Sequence, residues 1–120
     1  MTIQDTATVD AMGFRNDDGQ FELIIYDHLD WSEDLDHLNL LQEKVNNYVS
    51  FLGTGQIAAQ YPDQSPEVFQ QPSIRITFAN APPAVALEVL GRFAGQLNAA
   101  TVTLAYLVST DPDRTLYVFE

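Results

Sequence analysis

His28, Asp30 and His37, set in "DHLDWSEDLDHLNLLQEKV" at residues 27–45, are the side chains in this sequence with most to offer chemically. Imidazole and carboxylate ligands suit zinc and other transition metals. His28, flanked by Asp27 and Asp30, is also a candidate for titration near neutrality and so for general acid–base work. Both chemistries lack their remaining parts. His28 and His37 are nine positions apart and fall on different elements, whereas strong metal motifs place histidines on one helix face. The HExxH and HxH patterns are absent, as are GxSxG, a cysteine nucleophile, a glycine-rich phosphate loop and a basic residue beside the run for an anionic substrate. The expectation is no catalytic residue, no cofactor and no metal. An acid–base or metal-dependent enzyme using His28, Asp30 and His37 stands as the alternative to a binding protein.

A structural account covers most of these acids. Asp30 with Glu33 fits a D-x-x-E capping box, in which each side chain satisfies a free amide of a first helical turn. Glu33, Asp34 and Asp36 then lie near the positive end of the helix dipole, where one anion typically contributes about 0.3–1 kcal/mol. Trp31 packs at the strand-to-helix corner, and its indole N–H needs an acceptor.

The elements that position this stretch are legible from periodicity. "TVDAMGFR" (8–15) and "QFELIIYD" (20–27) flank the turn sequence "NDDG" and predict a β-hairpin. Phe21, Leu23 and Ile25 share one face of the second strand, while Ile24 and Tyr26 make its other face partly apolar, which suits a strand interior to a sheet. From about residue 33 to 52 the period becomes helical, with Leu38, Leu41, Val45, Tyr48 and Leu52 inward and Leu35 and Val49 widening the stripe. Gly53 and Gly55 offer a left-handed stop. Residues 54–72, with Pro62, Pro66 and Pro72, read as a surface connection with one short helical turn at 56–60. "SIRITFA" (73–79) alternates as a strand, and Pro82 with Pro83 opens a second helix to about residue 98, burying Ala86, Val89, Leu90, Phe93 and Leu97. "TVTLAYLV" (101–108) and "TLYVF" (115–119) are strands around a "TDPD" turn.

The order ββα-βα-ββ predicts an α+β fold: a two-layer sandwich with a mostly antiparallel or mixed sheet and two main helices on one face. One domain spans 1–120, with 1–7 as a flexible tail. The sheet's second face, with Ile24, Tyr26, Leu107, Tyr117 and Phe119 as its candidates, is then open to a partner or to a second copy. Taking about 100° per residue, Leu40 and Phe51 form a further apolar ridge on the first helix, beside His37, Lys44 and Asn47. Ile57, Tyr61, Val68 and Phe69 of the connection are expected to cover that ridge. Gly91 and Gly95, four apart on the second helix, suggest a close backbone approach within the fold.

Seventeen acids against five Lys and Arg give a net charge of −12. That balance argues against nucleic acid and anionic membrane as partners and favours a basic protein. The absence of Cys excludes disulfides and agrees with a reducing compartment. "MTIQDTATVD" does not read as a signal peptide, and no apolar run approaches the roughly 20 residues of a membrane span. A cytoplasmic protein is expected.

"DHLDW" followed by "HLNLLQEKVNNYVSFLGTGQI" resembles a family of small uncharacterised bacterial proteins with a DHL-x-W strand end, an HL-x-LLQ-x-K-x-N-x-Y helix and an SG or TG stop. The resemblance covers about residues 9–57. It implies an architecture and carries over no reaction and no site residue. The functional expectation is a small acidic protein-interaction module, of the kind that acts as an immunity-type inhibitor of a basic toxin or nuclease. A structural homodimer is a third reading. The candidate interaction surface is Asp34, Asp36, His37, Leu40, Lys44 and Phe51.

Overall fold

The structure is a computed structural model, and it describes residues 11–14, 20–53, 59, 61–64 and 72–119. Among these the elements are β1 (Ala11–Phe14), β2 (Phe21–Asp27), α1 (Asp34–Leu52), β3 (Ser73–Phe78), α2 (Ala84–Ala99), β4 (Thr103–Val108) and β5 (Tyr117–Val118). The fold is α+β with one open five-stranded mixed sheet, whose strand order β1-β2-β3-β4-β5 is the chain order. β2, β3 and β4 run parallel, and β1 and β5 flank them antiparallel. Parallel neighbours need crossovers, which α1 and α2 supply. Both crossovers step the same way across the sheet, so their common handedness sets the two helices on one face.

Register stacks the core in rows across the parallel strands. Leu23, Ile74 and Leu104 are aligned, and so are Ile25, Ile76 and Tyr106. Leu38, Leu41, Val45 and Tyr48 of α1 and Ala86, Leu90, Ala94 and Leu97 of α2 bury against them. Burying one such large apolar side chain is worth about 1.5–3 kcal/mol relative to leaving it exposed. The next row is Asp27, Phe78 and Val108, at the carboxyl ends of the parallel strands. The loops that leave this edge carry the candidate chemistry.

Several expected details are corrected. α1 starts at Asp34 with Glu33 as its N-cap and no side-chain cap bond, so the Asp30–Glu33 capping box is not formed. Asp30 folds instead into its own turn, accepting from the Ser32 amide (3.2 Å) and hydroxyl (2.7 Å). Leu35 is 77% exposed rather than part of the core stripe. Gly53 has φ −76°, so the helix stops without a left-handed glycine there, the Gly53 amide reaching the Val49 and Ser50 carbonyls. α2 opens one position later than the prolines suggested: Pro83 is its N-cap, and Val89 and Phe93 are only half-buried. Its left-handed residue is Thr101 (φ 64°), where the Thr101 and Val102 amides donate to the Asn98 and Leu97 carbonyls in the paired pattern that closes a helix C-terminus.

Register also divides the residues expected on the open face. Ile24, Tyr26 and Leu107 do point away from the helices, alternating with core neighbours. Tyr117 pairs with Tyr106, and Phe119 lies 3.9 Å from where a side-chain carbon at Gly91 would stand, so both belong to the helix side. Neither Gly91 nor Gly95 holds a close backbone approach: a methyl at Gly91 would make ordinary contact with Phe119, and at Gly95 it would meet no described atom. Tyr61 packs edge-on to Phe14 and Phe21. The tail at 1–7, the "NDDG" turn, Gly55, Ile57, Val68 and Phe69 lie outside the described residues.

Candidate functional site

Strand alternation sets Asp27 on the same face as Phe21, Leu23 and Ile25, so the last side chain of β2 is a carboxylate pointed into the helix layer. His37, in the first turn of α1, meets it. The His37 Nε2 and Asp27 Oδ2 atoms are in hydrogen-bond contact, and both side chains are buried. The other ring nitrogen, Nδ1, lies 2.9 Å from the Asp30 carbonyl oxygen. A carbonyl only accepts, so Nδ1 carries a proton. Nε2 then either carries a second proton opposite a carboxylate or accepts one from a protonated Asp27. In both cases the pair shares one proton and is neutral as a unit, which is how a buried acid and base avoid the desolvation cost of a lone charge.

Burial pushes the Asp27 carboxyl above its ordinary 3.8, against the hydrogen bond and charge of His37, the Leu29 amide and the more distant His28, all of which pull it down. The Leu29 amide donates to Asp27 Oδ1 at 3.1 Å, so each carboxylate oxygen has a donor. Trp31 closes the pair from above, its ring stacked on the imidazole at 3.7 Å and 22°. Its indole N–H finds the expected acceptor in the Asn80 carbonyl, 3.1 Å away. The Asn80 side-chain amide returns a bond to the Leu29 carbonyl at 3.1 Å, and the Ala79 amide donates to the Asp27 carbonyl at 2.8 Å. The loops after β2 and β3 are thereby sewn together over the dyad.

This arrangement holds a proton and a loop in place. A general base needs a nitrogen facing its substrate. Here both imidazole nitrogens are taken, one ring face is covered by Trp31, and His37 is 2% exposed. His28 is exposed and makes no described contact with His37, so His28, Asp30 and His37 are not gathered into one acid–base set. Among the described residues no group of three or more His, Cys, Asp or Glu is placed to hold a metal ion. Ser32 holds the exposed Asp30 carboxyl below its ordinary range through two hydrogen bonds.

The residues proposed as a surface part company. Asp36 is exposed, Leu40 and Phe51 are half-buried against the core, and His37 and Lys44 are buried. Asp34 begins α1, and its side chain lies outside the described set. His37 and Lys44 are two helical turns apart and so share one flank, and that flank is buried. Lys44 is fully buried, with its ammonium 5.9 Å from the Tyr48 ring centroid, and Tyr48 donates its hydroxyl to the Ile24 carbonyl at 3.1 Å. Among the acids of the region, Asp30 and Glu33 are exposed with Asp36.

The sequence profile of a family of unknown function, DUF6572, matches residues 1–110. The chain belongs to the DUF6572 family. Compared with curated proteins and with solved structures, it has no significant match to either. The stretch matched by the DUF6572 profile contains the whole Asp27–His37–Trp31–Asn80 assembly, while β5 lies beyond it. No described helix is long and apolar enough to cross a membrane.

Two of the assembly's residues were missed in the sequence. The parity of β2, with Phe21, Leu23 and Ile25 inward, is the signal that places Asp27 inward as well. Asn80 carries no local signal, because its partners Trp31 and Leu29 are 49 and 51 residues away.

Proposed function

We propose that the protein is a small acidic binding module that recognises a basic protein through the loops at the carboxyl edge of its parallel strands, in the manner of an inhibitor that masks a cationic surface. The supporting observation is the division of labour at that edge. Of the two imidazoles, that of His37 is sealed with Asp27 beneath Trp31, whereas His28 and the acids Asp30, Glu33 and Asp36 stand exposed around it. The sealed pair ties the loop to the start of α1, and the two together present the carboxylates in a set geometry. Preorganised charges of one sign steer an oppositely charged partner and raise its association rate. The net charge of −12 adds a long-range field of the same sign.

The test is capture of a basic partner from native cells at low salt, followed by reconstitution of the purified pair. Association should slow steeply as salt rises, and Glu33→Lys with Asp36→Lys should cut the association rate by about ten-fold or more. A purified complex whose association ignores both salt and charge reversal would remove the proposal.

A further inference from the structure

The same sheet edge holds a second feature, on the β4 side. A groove of about 390 Å³ lies between the start of α2 and the β4–β5 turn. Pro82, Leu87 and Val108 give it apolar walls, and Tyr106 and Tyr117 line it with rings stacked at 5.0 Å and 20°. Asp111 supplies a carboxylate. One oxygen of that carboxylate accepts from the Asp113 amide at 3.1 Å, and the nearby cation of the turn, Arg114, makes no described ion pair with it. The groove thus combines apolar walls, aromatic faces and an acid.

We propose that this groove receives an arginine side chain of the basic partner, its methylene stem along Pro82, Leu87 and Val108, its guanidinium plane against the tyrosine pair and its N–H groups toward Asp111. Each part of the groove matches a part of that side chain. The stem of arginine is apolar and covers apolar surface while its head stays polar. The guanidinium is planar and weakly hydrated, stacks on aromatic faces and donates in a fork that a carboxylate accepts. A lysine ammonium offers neither the plane nor the fork. Asp111 follows β4 directly, as Asp30 follows β2, so the groove and the exposed acids belong to one edge.

This assignment rests on the binding-module reading but is tested apart from it. N-acetyl-arginine amide is titrated into the isotope-labelled full chain and followed by amide chemical shifts, with N-acetyl-citrulline amide as the uncharged isostere. Saturable shifts at Leu87, Tyr106 and Asp111 are expected, with citrulline at least about five-fold weaker. Tyr117→Ala and Asp111→Asn should each weaken arginine binding by about three- to ten-fold, while Glu43→Lys, an exposed position on α1 outside the groove lining, changes it by less than about two-fold at physiological salt. The dispersed spectrum of each variant reports that it remains folded. Absence of saturable shifts, equal shifts with citrulline, or undiminished binding in both groove variants would overturn the assignment. If salt-sensitive partner binding survives while arginine fails, the groove assignment falls alone. If arginine binds the groove but no basic partner exists, the binding-module reading falls alone.

Discussion

Replacing His37 by Ala should be far more damaging at neutral pH than replacing Asp27 by Asn, although both dismantle the same contact. His37→Ala leaves the Asp27 carboxyl buried with only the Leu29 amide to satisfy it, and breaking one side of a buried ion pair typically costs about 3–5 kcal/mol. The lost stack beneath Trp31 adds about 0.5–1.5 kcal/mol. Asp27→Asn keeps the volume, keeps an acceptor for Leu29 and donates an amide hydrogen to His37 Nε2, so a cost of about 1 kcal/mol is expected, that of one altered hydrogen bond. A domain of this size is stable by about 5–15 kcal/mol, so His37→Ala should lie near the edge of folding.

The pH dependence carries the sharper test. The folded-state pKa of Asp27 is raised, so between its unfolded and folded values the native chain holds more protons than the unfolded one. The stability this group contributes is present below about 3.8 and is lost as pH rises through the folded value. Without His37 the opposing charge and hydrogen bond are gone, the raise is larger, and the loss extends to higher pH. The destabilisation by His37→Ala relative to wild type should therefore grow between about pH 4.5 and about pH 7.5, while that by Asp27→Asn should not. Urea unfolding followed by circular dichroism measures both, with the fluorescence of Trp31, the one tryptophan, as a local probe. Equal costs for the two variants at about pH 7.5, or a His37→Ala cost independent of pH, would refute the reading of the pair as a proton-sharing unit.

Two predictions concern α2. Gly95→Ala should stabilise the protein by about 1 kcal/mol, because the helix interior gains propensity and the new methyl meets no described atom, and thermal melting should show it as a rise of about 3–5 °C. Thr101→Gly should gain about 0.5–1 kcal/mol in urea unfolding, the relief of a β-branched residue at φ 64° outweighing the larger entropy of glycine in the unfolded chain. A loss of stability in the second variant would mean that the Thr101 hydroxyl bond to the Ala100 carbonyl matters more than the backbone conformation.

Local periodicity carried much of this fold. The alternation of Phe21, Leu23 and Ile25 and the three-and-four spacing of Leu38, Leu41, Val45 and Tyr48 are one-dimensional signals of a buried face, and those residues form the core. The two-helix, mixed-sheet arrangement follows from element order. The candidate site was less legible, because its bonds join elements whose relative placement no local pattern encodes. Trp31 announced a need for an acceptor, yet only the parallel pairing of β2 with β3 brings Asn80 to it. His37 and Lys44 look like surface residues in the sequence because polar side chains usually are; the burial of His37 is matched by Asp27 on another element, while Lys44 lies over the Tyr48 ring one turn further along the same helix. The capping box failed for a similar reason: the Asp30 carbonyl is held by His37 and its side chain by Ser32, which leaves it outside the first turn of α1.

The agreement between strand order and chain order reaches into how the molecule is made. Every strand pairs with its immediate predecessor, so no position in the sheet waits for a segment still to be synthesised. As the chain emerges from a ribosome amino end first, β1 and β2 can close as a hairpin, β3 can dock on β2 once α1 is out, and β4 on β3 once α2 follows. Each closure spans one loop or one helix-bearing crossover, the longest being residues 28–72 between β2 and β3, and the entropy cost of closing a loop rises only slowly with its length. Growth always proceeds at one edge of the sheet while β1 keeps the other, and β5 arrives last as a two-residue antiparallel clip, a short edge strand that offers little template to another nascent chain.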